Sequence, residues 1–249
     1  MDSLKLLVND LLGRETRLDT EILGQPLTLV ITNRRELRRA RKMWHETALV
    51  ERMREALAEG DVLYDVGANI GLISLLMGRH AAERGLRIHG FEPEPANFEH
   101  LVRNIEANGL AGSVCAHRVA LGAADGEVEL FVRGKAGEGR HSITEARGST
   151  ASIRVPVRRA AAFAAECGEA PTVVKIDVEG AEGQVLAGFA DLLASAPPRD
   201  FFLEIHSKGD HDRMPDGVTI GAWLGERGYD LAWSSARRSG EHRHYRARA

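Results

Sequence analysis

From Gly60 to His206 the chain alternates short apolar runs with amphipathic stretches. Val62 to Val66 reads as a strand, Gly71 to Arg79 as a helix and Leu86 to Phe91 as a second strand. The next helix carries Pro95 near its start, where a missing N–H does no harm, and sets Phe98, Leu101, Val102 and Ile105 on one stripe before stopping at Gly109. Val114 to Leu121 reads as a third strand. Thr172 to Val178 and Phe201 to His206 read as further central strands around a helix with Val185, Leu186 and Phe189 inward. Such alternation predicts a mostly parallel α/β sheet with helices on both faces.

Three stretches depart from that rhythm. Asp125-Gly126 is a turn pair, after which Glu127 to Arg133 alternates like an inserted hairpin strand, with Ile153 to Val157 as a candidate partner. Gly134 to Thr150 between them is rich in Gly, Ser and charge and reads as a mobile loop. After a helix around Ile220 to Leu224, Tyr229 to Ser234 and His242 to Arg246 flank Ser239-Gly240 and predict an antiparallel closing hairpin. Residues 1–60 read as a helical extension capping the same domain, with one extended interruption at Pro26 to Thr32, and residues 61–249 form the main unit. Within the extension, Asn33 and Glu36 predict a capping box opening a helix over Arg34 to Met43, and Leu49, Met53 and Leu57 mark one face of a second helix.

Composition narrows the setting. With 43% hydrophobic and 28% charged residues the chain can bury a sizeable core, and a formal charge of −3 gives no global reason for a nucleic-acid partner. The basic run Arg237 to Arg248 reads as a solvated edge strand. Cys115 and Cys167 fit neither a disulfide framework nor a zinc spacing and read as buried thiols. The start lacks the long apolar core of a secretion signal, and the run Gly71 to Met77 is too short to span a membrane, so a cytoplasmic location is expected.

The sharpest local signal is Tyr64-Asp65-Val66-Gly67-Ala68-Asn69-Ile70-Gly71, between a strand and a helix. Glycines there allow close backbone approach to a ligand, and the helix start offers unpaired N–H groups. Read alone, the glycines make only a tight turn. Asp65 lies where a pyrophosphate would be repelled but an ammonium or sulfonium welcomed, and Glu92, ending the second strand, can accept hydrogen bonds from both ribose hydroxyls. Together they favour S-adenosylmethionine over a dinucleotide. A nicotinamide-dependent oxidoreductase remains the enzyme alternative, although Asn69 occupies the middle position of its Gly-x-Gly-x-x-Gly fingerprint and the third glycine is absent. A catalytically silent cofactor-binding interaction protein is the other. Nucleic-acid methylation is disfavoured, because the fourth strand ends Ile176-Asp177-Val178-Glu179 rather than in a base-stacking Asn-Pro-Pro-Tyr.

Asp65 to Gly71, Phe91-Glu92-Pro93 and Lys175-Ile-Asp-Val-Glu-Gly-Ala-Glu182 resemble, in order, the motifs of the FkbM family of methyltransferases, over roughly Glu46 to His206. The resemblance implies a Rossmann-like class I methyltransferase sheet and O-methylation of a hydroxyl on a sugar, glycolipid or natural product. It further implies that Asp65, Gly67, Ala68, Asn69 and Gly71 surround the methionine portion of the cofactor, with Glu92 and Pro93 at the ribose and Ala120, Leu121 and Gly122 at the adenine. Asp177 would close the floor near the sulfonium, and Glu179 and Glu182 would border the acceptor cleft. Lys175 could simply pair with a nearby acid.

An alcohol acceptor must lose a proton, and Glu204 and His206 share one face at a strand end, which makes His206 the candidate general base. His141 and Ser142, in the loop, are candidates to touch the substrate. Asp177, Glu179, Glu204 and His206 could also hold a divalent metal, which the resemblance does not require.

Overall fold

The computed structural model describes residues 15–132, 151–206, 211–237 and 240–248. A seven-stranded sheet forms its centre, built from β3 (Val62–Val66), β4 (Arg87–Phe91), β5 (Val114–His117), β9 (Val173–Ile176), β10 (Asp200–His206), β11 (Tyr229–Arg237) and β12 (Gly240–Ala247), in the order β11-β12-β10-β9-β3-β4-β5. The five strands from β10 to β5 run parallel, and the β11–β12 hairpin closes the sheet antiparallel to β10.

Strand alternation sorts the core into two layers. Leu63 and Val173 point to the side of α2 (Thr47–Ala56), α3 (Leu72–Arg84) and α4 (Pro95–Ala107). Tyr64, Val66, Val174 and Ile176 point to the opposite side, against α5 (Ala160–Cys167), α6 (Glu182–Ala187), α7 (Ala190–Ser195) and α8 (Ile220–Glu226). Among the described residues no helix is long and apolar enough to cross a membrane.

The start of the extension departs from the helical expectation. Residues 1–14 lie outside the described residues, and Thr16 opens an antiparallel hairpin of β1 (Thr16–Ile22) and β2 (Gln25–Ile31) that turns through Leu23 and Gly24, both at positive φ. Thr16, Leu18, Thr20 and Ile22 alternate with Arg17, Asp19 and Glu21, the period of a half-buried strand. The hairpin lies on α4, where Asn104 and Asn108 accept hydrogen bonds from Val30 N (2.6 Å) and Thr28 N (3.0 Å). Asn33 and Glu36 then cap α1 (Arg34–Arg41): Glu36 N donates to Asn33 Oδ1 at 3.1 Å, and Asn33 Nδ2 donates to Glu36 Oε1 at 2.7 Å. A 3-10 turn, Met43–Glu46, leads into α2.

The third-strand reading splits in two. After β5 the chain leaves the sheet, and β6 (Ala120–Leu121) joins β7 (Gly126–Val132) and β8 (Ala151–Arg158) in a separate three-stranded sheet. The insert is thus a β7–β8 pair, antiparallel from Gly126↔Val157 to Val132↔Ala151. Residues 134–150, including His141 and Ser142, lie outside the described residues.

Two compositional readings are corrected. Cys115 is half-buried and Cys167 exposed. The basic C-terminal run is no solvated edge: β12 lies between β10 and β11, and Arg237, Arg243, Arg246 and Arg248 each meet a carboxylate.

Candidate active site

The ends of β3 and β4 meet over a turn that only glycine can make. Gly67 has φ +79, and a Cβ there would sit 1.9 Å from the Asp177 carbonyl oxygen. Gly67 N and Ala68 N both donate to Phe91 O at 3.0 Å, locking the turn onto β4. Asn69, at φ +54, donates its N–H to Glu92 Oε2 at 2.9 Å, and Glu94 N donates to Glu92 Oε1 at 3.0 Å. Each Glu92 oxygen therefore spends one lone pair on the backbone and keeps others for a ligand. Burial pushes the Glu92 carboxyl up to about 7 against those hydrogen bonds.

Glu92 lines a crevice together with Gly67, Asn69, Pro93, Val119, Ala120, Leu121, Val178 and Val185. Val128, Leu130 and Val155 of the inserted sheet complete its apolar wall. That lining suits a heterocycle against the apolar side chains and a ribose within reach of Glu92. The insert's contribution was not foreseen, although the period-2 pattern of β7 marks Val128 and Leu130 as one face.

Asp65 does not face this crevice. It is fully buried, accepts a hydrogen bond from Ser74 Oγ at 2.6 Å, and its Oδ1 lies 2.9 Å from Lys175 Nζ. Lys175 also donates to Gly67 O at 3.3 Å, so the pair braces the glycine turn from beneath. Burial opposes the Lys175 charge, but Asp65 and Asp177 hold its pKa above the usual lysine value. Gly71 likewise stays out of the ligand space: it caps α3 at φ +92, and a Cβ there would meet Leu101 Cδ1 at 2.6 Å.

A second, wider cleft adjoins the first and shares Arg39, Gly67, Asn69, Asp177 and Glu179 with it. Ala68 lines it from the glycine turn, Glu204 and His206 from β10, Arg38, Arg39 and Lys42 from α1 and the residue after it, and Arg237 and His242 from the closing hairpin. Glu182 is not on its border. It is fully buried, and its Oε1 accepts from Gly180 N at 3.1 Å and lies 3.2 Å from His206 Nδ1.

With Nδ1 held by Glu182, His206 turns Nε2 toward Glu179 (3.5 Å), Glu204 (3.7 Å) and Asp177 (3.9 Å). Burial alone would lower the imidazole pKa, but the Glu182 bond and the other three carboxylates outweigh it and raise it to about 9. That shift favours the protonated form of His206 at neutral pH and leaves Nε2 facing three carboxylates. Glu204 is also engaged: against burial, His242 and Arg237 hold its carboxyl down to about 2, and Arg237 reaches on to Glu46. Glu179 differs. Its backbone sits at φ +53, a strained position for a non-glycine residue, and burial followed by the Asp177 charge raises its carboxyl to about 7. Asp177 is raised as well, first by burial and then by Glu204.

The expected metal set divides. Asp177, Glu179 and His206 form one group with ligand atoms within 4.8 Å of one another, and Glu46, Glu204 and His242 form another. A cation at the first would have to displace the proton from His206.

A parallel sheet closed by an antiparallel hairpin, with a glycine turn after one strand and an acid ending the next, is a Rossmann-like α/β fold. The crystal structure of an FkbM methyltransferase from Methylobacillus flagellatus shares it, with a TM-score of 0.52 at 17% identity over 76% of this chain and 44% of that one. In sequence, residues 65–231 match the family model described as the methyltransferase FkbM domain, and the chain belongs to that family. The hexuronic acid methyltransferase AglP of Haloferax volcanii is 30% identical over 192 residues, covering 76% of this chain and 74% of its own length. The 31-O-demethyl-FK506 methyltransferase FkbM of Streptomyces tacrolimicus is 32% identical over 162 residues, covering 54% and 62%.

Proposed function

We propose that this methyltransferase uses S-adenosylmethionine to methylate a hydroxyl of a small molecule, a sugar, glycolipid or natural product. The observation that carries this reading is the union of the two spaces: an apolar crevice with Glu92 in its lining opens, past Gly67, Asn69 and Asp177, into a cleft lined by acids. Two relatives named for acting on a hexuronic acid and on demethyl-FK506 support the acceptor class.

The residues present fit such a cofactor. Glu92 has lone pairs for two ribose hydroxyls, and Val119, Leu121, Val128, Leu130 and Val155 offer a slot for the adenine. Bound there, the cofactor supplies a methyl group activated by positive sulfur. The protein's tasks are then to orient the acceptor oxygen and to receive its proton. Glu179, on the wall shared by both spaces and titrating near neutrality, is the proton acceptor in this reading. His206 keeps its proton and steadies the neighbouring carboxylates. Asp177 borders the transfer point.

Calorimetric titration with S-adenosylhomocysteine and with NADH tests the cofactor assignment, and mass spectrometry of a metabolite extract incubated with the protein and S-adenosylmethionine tests the transfer. Saturable binding of the adenosyl ligand alone, with a metabolite gaining one methyl group, is expected. Tight NADH binding without S-adenosylhomocysteine binding overturns the proposal. Cofactor binding with no methylated product points instead to a silent binding protein.

A further inference from the structure

Most of the charges in the acceptor cleft stand in ion pairs. Arg237 serves Glu46 and Glu204, Lys175 serves Asp65, and His206 serves Asp177 and Glu179. The remaining cations stand together on the α1 wall: Arg38, Arg39 and Lys42 line the cleft, and none makes an ion pair with a carboxylate among the described residues. Arg38 and Lys42 lie one turn apart with Arg39 beside them, a spacing at which like charges repel by about 0.2–0.5 kcal/mol per pair.

The fold holds this wall in place from behind. Ala40 and Glu36, the latter bonded to Thr32 and Asn33, are buried, and Leu37 packs on the core, so the basic face is turned away from the interior. A favourable helix dipole accounts for cations in a last turn. It does not account for three of them bordering the space beside Asp177 and Glu179, whose carboxyls feel the Arg39 charge.

The cleft is thus two-signed, with Asp177 and Glu179 just past the end of β9 and three cations on α1 and the residue after it, of which Arg39 acts on those carboxyls while Arg38 and Lys42 make no ion pair among the described residues. We propose that the acceptor carries its own anion: an acidic sugar whose reacting hydroxyl meets the Asp177–Glu179 wall while its carboxylate is held by Arg38, Arg39 and Lys42. This rests on the methyltransferase reading above and narrows its substrate class. Arg39 also borders the adenosyl crevice and could meet the carboxylate of the cofactor; Arg38 and Lys42 line only the acceptor cleft, so they separate the two sources of negative charge.

The test uses the full chain saturated with S-adenosylhomocysteine, titrated calorimetrically with methyl glucuronide and with methyl glucoside. The glucuronide is expected to bind roughly tenfold more tightly, the scale of one charge-assisted hydrogen-bonded contact, with a preference that shrinks as salt rises. In the R38Q/K42Q double variant the preference is lost while S-adenosylhomocysteine binds as before. Glucuronide binding no tighter than glucoside binding, or a preference that survives in the double variant, overturns the inference. Weakened cofactor binding in that variant assigns the patch to the cofactor and overturns it too. Failure of the unaltered protein to bind S-adenosylhomocysteine strikes the underlying methyltransferase reading, and the acceptor inference falls with it.

Discussion

Lys175 and Asp65 are paired at 2.9 Å beneath the glycine turn, with side chains 6% and 0% exposed. Because neither ion has water to fall back on, removing one partner leaves the other buried and uncompensated, at a cost of about 3–5 kcal/mol. K175M and D65N should each lower urea stability on that scale, and the K175M/D65N double variant should lose less than the sum. Strictly additive losses would show that the two do not act as a unit.

Gly67 and Gly85 both adopt positive φ, but only Gly67 is hemmed in. A Cβ at Gly67 meets the Asp177 carbonyl at 1.9 Å, whereas nothing lies within 4 Å of one at Gly85. G85A should cost only the left-handed strain of about 1–2 kcal/mol and keep S-adenosylhomocysteine binding. G67A should lose binding altogether and melt lower than G85A. Equal melting temperatures and affinities for the two variants would remove Gly67 from the site.

Glu92 accepts Asn69 N and Glu94 N through different oxygens. A glutamine can accept at one of these places only, so E92Q strains the turn and loses half of the ribose's acceptors. S-adenosylhomocysteine affinity is expected to fall by tenfold to a hundredfold, roughly one or two hydrogen bonds to a charged group. Affinity within twofold of the unaltered protein, measured by calorimetry, would place the ribose elsewhere.

The parallel strands were legible because buried strands read as continuous apolar runs, and the glycine turn because its chemistry is local. The β1–β2 hairpin carried its own period-2 signal in Thr16 to Ile22 but lies in a stretch otherwise rich in helix-forming residues. Helix α5, Ala-Ala-Ala-Phe-Ala-Ala-Glu-Cys, offers no amphipathic period and buries only Ala160 and Ala164, so its sequence does not announce it. What the residues could not disclose was partnership. Asp65 reads as a ligand-facing acid until β9 brings Lys175 beside it, and Glu182 reads as a cleft residue until β10 sets His206 against it. Nothing in the sequence singles out Arg38, Arg39 and Lys42, which only the placement of α1 sets on the cleft.

The pH dependence separates Glu179 from His206 as the group that receives the proton. Facing this pair are Asp177, Glu182 and Glu204, with the Arg39 charge acting on Glu179. Glu179, raised to about 7, becomes a competent base only above that pH, while His206, raised to about 9, stays protonated below it. With Glu179 as base, kcat/KM should climb through pH 7, hold, and decline past pH 9 as the imidazolium is lost. Folding stability should fall ahead of that limb, since a folded pKa raised from 6.5 to about 9 adds stability that is whole below the unfolded pKa, declines across the interval and is nearly spent by about pH 9. E179Q should abolish the acid limb together with most turnover, whereas H206Q should flatten the alkaline limb and retain measurable activity. If instead the unaltered enzyme gains activity on passing pH 9, and H206Q is dead while E179Q works, the proton goes to His206.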